Sequence, residues 1–191
     1  MKKLIISSAF IIATISLHAQ SDNPVFAMNK KEARKERHEQ KITLRKLEGK
    51  DISTAAKNQF NIDFGNARNV QWSRDLYFDK ATFTDPQGNE ISAYYDYGAQ
   101  LVGTLSPRKF SDLPAKARQE IIKHYTNYEK APVIFYDDNE YNDTDMILYG
   151  LQFQDEDNYF IELADKKGRP IVLKVTPGGE VSYFTDMPVK N

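Results

Sequence analysis

The chain has no cysteine. That excludes a disulfide framework, thiolate catalysis, a cysteine-ligated metal and a lipid-modified N-terminal cysteine. Histidine is almost as scarce, with three in 191 residues. Beyond residue 19 only His38 and His124 remain. Ser/His/Asp and Cys/His nucleophilic schemes therefore have almost no raw material, and neither does a histidine-rich zinc site. Trp72 is the single tryptophan. After the N-terminal segment there is no apolar run long enough to span a bilayer. Neither sign of charge dominates, since 26 Lys/Arg face 27 Asp/Glu.

What is present begins with an export signal. Lys2 and Lys3 give a basic start, and residues 4–17 form a short apolar stretch softened by Ser7, Ser8, Thr14 and Ser16. Leu17-His18-Ala19 then offers a cleavage site before Gln20, so residues 1–19 read as a signal peptide and the protein as periplasmic or secreted. The near-zero net charge hides an asymmetry. Residues 30–50 hold nine Lys/Arg against four Glu, whereas residues 51–191 hold fifteen against 22 Asp/Glu. The leader, residues 20–50, reads as helical or disordered and lacks an apolar stripe before Ile42. It suits a solvated tether, or an arm for peripheral contact with an acidic surface. The acidic remainder is a poor nucleic-acid binder.

A weak internal repeat organises that remainder. Residues 81–103 align with 161–183 at an offset of 80, with Asp85/Asp165, Gly88/Gly168, Ile91/Ile171 and Gly98/Gly178 identical. Most of these are turn residues. Before each repeated stretch lies an amphipathic helix. One is capped near Ser53, with Ala56, Phe60 and Phe64 on one stripe. The other starts near Ser111 or Asp112, with Leu113, Ala117, Ile121 and Tyr125 on its stripe. Turn-separated apolar runs read as antiparallel strands over 70–72, 77–84, 90–97 and 100–105, then over 133–136, 159–164, 170–176 and 180–184. An acidic insertion, 137–145, and an extra apolar strand, 146–153, interrupt the second set. The expected class is α+β. It is a tandem duplication of a helix followed by an antiparallel meander, with the helices on one sheet face. The copies span 51–106 and 107–191.

Ala67-Arg68-Asn69-Val70-Gln71-Trp72, followed by an aromatic strand, Asp-x-x-Gly and a Tyr-rich strand ending at Gly98, resembles the PepSY-like proteins of the Bacteroidetes periplasm. These are similar in fold to β-lactamase-inhibitor proteins (BLIP-like). The resemblance covers residues 53–184, the signal and the basic leader. In the second copy Pro132-Val133-Ile134-Phe135 replaces Asn-Val-x-Trp. The resemblance implies a non-enzymatic binding or inhibitory module.

Candidate sites follow from residue chemistry. Strand alternation puts Phe78, Tyr94 and Phe160 on the face away from the helices, together with Lys80, Thr82 and Glu162. An open face mixing aromatics and charges suits recognition of an envelope protein or peptide. The insertion is the alternative. Asp137, Asn139, Asp143 and Asp145 supply oxygens that Ca²⁺ favours, at partly EF-hand-like intervals. The pattern then breaks, with Asn142 where glycine belongs and Leu148 where glutamate belongs. The same loop also suits a basic protein partner. No other cofactor is indicated. Asp155-Glu156-Asp157 reads as a solvated turn rather than a catalytic carboxylate pair.

Overall fold

A computed structural model describes residues 43–154 and 156–187. The expected signal peptide, leader residues 20–42 and Asp155 lie outside the described residues.

The first helix, α1, is Thr54–Asp63. Ser53 caps it, its Oγ accepting from the Ala56 N–H at 3.4 Å, and Ala56 and Phe60 face inward. Four strands follow: β1 (Arg68–Arg74), β2 (Asp79–Thr84), β3 (Glu90–Tyr95) and β4 (Leu101–Arg108). The second half has the same order of parts. Helix α2 (Ala115–His124) precedes β5 (Val133–Asp138), β8 (Asn158–Ala164), β9 (Pro170–Val175) and β10 (Val181–Asp186). Between β5 and β8 lie two short strands, β6 (Met146–Leu148) and β7 (Leu151–Phe153).

All eight long strands form one antiparallel sheet in the order β1-β2-β3-β4-β5-β8-β9-β10. The halves meet at β4 and β5, in register from Gly103↔Asp138 to Arg108↔Val133. The matching turns are built alike. Asp85 Oδ1 accepts from the Asn89 N–H at 2.7 Å, and Asp165 Oδ1 accepts from the Arg169 N–H at 2.9 Å. Gly88 and Gly168 take φ of 90° and 73° in those turns, a conformation that strains other residues. The aspartate–glycine pair is thus the local chemistry of a tight reversal.

Both faces of the sheet are covered over much of their area. On one, α1 packs Ala56 and Phe60 on Ala81, Phe83, Ala93 and Tyr95. On the same face, Ala117 and Ile121 of α2, with Leu113 just before it, pack on Val133, Ile161, Ile171 and Leu173. On the other face a third cluster joins Phe78, Tyr94, Val102, Tyr136, Phe160, Val172 and Phe184 to Met146, Leu148 and Phe153. Here the structure corrects the reading from sequence. Residues 146–153 are not one extra strand but a hairpin, reversing at Tyr149 (φ 52°) and Gly150 (φ 75°). Positive φ at both central positions suits a two-residue hairpin turn. The hairpin folds over the face expected to be open.

Candidate functional site

The burial of that face decides the first candidate set. Phe78 is 1% exposed, Tyr94 8% and Phe160 0%. The structure places all three in one core cluster, and none of them at the surface. Phe153 of the hairpin stands 5.2 Å from the Phe160 ring and 5.8 Å from Phe184. Burial pushes the Tyr94 hydroxyl up to about 12, with Asp75 adding to the shift. These residues hold the hairpin on; an exposed aromatic binding patch built from them is ruled out.

The acidic insertion is anchored by its uncharged members. Asn139 Nδ2 donates to the Leu101 carbonyl at 2.7 Å. Asn142 Nδ2 donates to the same carbonyl at 3.0 Å and to Asp96 Oδ2 at 3.2 Å. Thr144 Oγ1 donates to Asp96 Oδ2 at 3.0 Å. Asp96 also accepts from the Gln100 N–H, so one carboxylate fixes both its own turn after β3 and the loop of the other half. The four residues expected to converge on calcium are separated in role. Asp145 is buried and accepts from Gln152 Nε2 at 2.7 Å. Asn139 faces Leu101, and Asp137 pairs with Thr104 on the sheet. Desolvation and the neighbouring Asp157 push the Asp137 carboxyl up, against the pull of Arg108. Asp143 is exposed. Among the described residues no three Asp, Glu or His side chains lie together as a metal-holding group.

What the loop presents instead is Tyr141. It is 94% exposed, at the tip between the outward-facing Glu140 and Asp143. Sequence reasoning passed over this residue. Its only signal was an aromatic inside an acidic insertion that the first half lacks.

Beside the loop runs the described end of the leader. Leu44 packs on the Phe78 cluster. The Arg45 guanidinium carbon lies 3.4 Å from the Tyr97 ring centroid. Together with Tyr77, Asp96 and Thr144 they line a pocket of about 140 Å³. Arg74 meets the fully buried Asp79 through two bonds of 2.6 and 2.7 Å. Asp79 also accepts from the Ser53 N–H, and Arg74 Nη1 donates to the Glu48 carbonyl at 2.8 Å. That pair ties the leader and α1 to the first hairpin.

His124, the one histidine among the described residues, sits 3.1 Å from Glu120 one helical turn back. Asp157 accepts from the Asp138 N–H at 2.9 Å. Both contacts are structural.

Comparison with known proteins agrees at the level of fold. No protein-family profile and no curated protein matches the chain. Solved structures do. A BLIP-like protein from Bacteroides fragilis is 15% identical with a TM-score of 0.51, over 75% of this chain and 91% of that one. A DUF2874 family protein from Bacteroides ovatus is 16% identical with a TM-score of 0.53, over 74% and 94%. A Bacteroides eggerthii protein provisionally described as periplasmic is 14% identical with a TM-score of 0.52, over 69% and 86%. The fold is α+β and BLIP-like. The narrower PepSY name gains no support from these matches. No helix among the described residues is long and apolar enough to cross a membrane.

Proposed function

We propose that this chain is a non-enzymatic binding module of the periplasm or the cell exterior, and that it recognises a protein or peptide with a basic surface through the anchored acidic loop. One observation carries the reading. Tyr141 stands almost fully exposed on a loop whose backbone is held by Asn139, Asn142 and Thr144. A rigid loop loses little entropy on binding, and a tyrosine offers large amphipathic area at low rotamer cost. Glu140 and Asp143 beside it favour a cationic partner and speed encounter. The export signal and the fold of the Bacteroides neighbours support the location. Scarcity of histidine and lack of cysteine support a binding rather than a catalytic role.

The test is capture from the envelope fraction on immobilised protein, beside a Tyr141→Ala control. Truncating a central interface tyrosine costs about 2 kcal/mol or more, roughly thirtyfold in affinity. We expect one enriched protein that the control loses and that 0.5 M salt weakens. Enrichment that ignores Tyr141 refutes the reading. Calcium is the competing use of the loop. The roles taken by Asn139 and Asp145 argue against it, and the melting temperature is expected to stay unchanged when calcium is added or chelated.

A further inference from the structure

Residues 43–48 cross the sheet edge without regular secondary structure. Two backbone contacts hold them: the Leu47 N–H donates to the Leu76 carbonyl at 3.0 Å, and the Glu48 carbonyl accepts from Arg74. The rest is side-chain chemistry. Leu44, partly buried, packs against the Phe78 cluster, and the Arg45 guanidinium lies over the Tyr97 ring.

The surface beneath is shaped by bonds that do not involve this segment. Asp75 Oδ1 accepts from the N–H groups of Tyr77 and Phe78 at 2.7 and 2.8 Å, which sets that wall. Asp96, on the opposite wall, is fixed by Gln100, Asn142 and Thr144. The groove is therefore preformed, and the chain's own segment sits in it as a peptide ligand sits in a receptor. Room remains beside it, in the pocket of about 140 Å³. Electrostatics point the same way: Arg45 and Lys46 belong to the basic leader, while the groove adjoins the acidic loop.

We propose that residues 43–48 are a displaceable self-ligand. They fill in cis a groove walled by Tyr77, Phe78, Asp96 and Tyr97, and that groove accepts an extended segment carrying an apolar side chain followed by a guanidinium. The same Leu-Arg pair presented in trans, from a second copy of this chain, competes for it. This regulates access to a surface next to the loop, but stands on its own contacts.

The cis arrangement sets the size of the effect. A short connection gives an effective concentration on the order of 1 mM. Where that concentration exceeds the peptide Kd about tenfold, cis occupancy weakens trans binding roughly tenfold. The experiment uses the chain from residue 20 onward and a fluorescein-labelled peptide of residues 41–50. We expect Leu44→Ala/Arg45→Ala to bind the peptide about tenfold more tightly than the unaltered protein, with Tyr97→Ala on that background weakening the binding about two- to fivefold. Arg45→Ala alone keeps Leu44 against the Phe78 cluster and gives a smaller gain in the same direction, should the double variant unfold by circular dichroism. Equal affinity for the variants and the unaltered protein overturns the inference, as does tight binding that ignores Tyr97. Tyr141→Ala leaves the peptide affinity unchanged, so failure here and failure of the loop reading are distinguishable.

Discussion

Asp79 is the most deeply buried charged side chain among the described residues. Its carboxylate is fully buried, and it has Arg74 and the Ser53 N–H as partners. The bond to Asp79 raises the Arg74 pKa and keeps the guanidinium charged. Removing one member of such a pair leaves an uncompensated charge in the interior, at a cost of about 3–5 kcal/mol. Asp79→Asn and Arg74→Met are each expected to lower the unfolding free energy by that much, read from urea titrations, whereas Asp79→Leu combined with Arg74→Met should cost less than either alone. Tyrosines set the alkaline limit. Burial raises Tyr94 and Tyr125 from 10.0 to about 12, and raises Tyr95 and Tyr149 further. In each case the folded state holds its proton where the unfolded state has released it. Stability is thus complete below pH 10 and falls as pH rises from 10 toward 12. Melting curves across that range, beside the 295 nm tyrosinate absorbance, check it. Ionisation of all eleven tyrosines near pH 10 without unfolding would contradict the burial.

Among the elements, the β6–β7 hairpin does the most to change the surface. Phe153 reaches Tyr136, Phe160 and Phe184 with ring centroids 5.2–5.8 Å apart. Phe153→Ala removes that seal, and a buried phenylalanine truncation costs about 3–5 kcal/mol. Stability is expected to fall by that much, and fluorescence of an apolar dye to rise as the face beneath opens; an unchanged dye signal would mean that the hairpin is held elsewhere. The sheet below is shaped to receive it. At Gly103 an added Cβ would stand 2.6 Å from the Tyr136 ring and 2.7 Å from the Asp137 carbonyl. Gly103→Ala must therefore displace Tyr136, whose hydroxyl donates to Asp138. The elements also show what was legible in the sequence. The stripes of α1 and α2, and the reversals at Asp85 and Asp165, are local patterns, and each appears where expected to within a few residues. The fate of Phe78, Tyr94 and Phe160 is not local. Alternation told which face they take, correctly. Nothing in their own strands told that residues 146–153 would double back and cover it, because that depends on a two-residue turn whose first position is a tyrosine rather than the usual asparagine or glycine.

At the scale of the molecule, the question is whether two similar halves behave as one body. Three features join them. Strands β4 and β5 pair in unbroken register over six residues each way. The hairpin and loop come from the second half, yet Met146 shares a cluster with Phe78 and Tyr94 of the first. Asn142 and Thr144 close on Asp96 across the same boundary. A cut between the halves would expose apolar surface on both and strip partners from Asp96, so partial unfolding of either half gains little. Cooperative all-or-none unfolding is the expected consequence. The position of the single tryptophan makes this easy to check. Trp72 lies in β1, 5.4 Å from Phe60 and 6.1 Å from Tyr95 by ring centroids, so its fluorescence reports the first half alone. Circular dichroism reports both. Urea transitions that coincide by the two probes support a single body. A Trp72 transition at lower urea than the dichroism would show the first half opening alone, and would mean that the strand seam and the hairpin are weaker than their contacts imply.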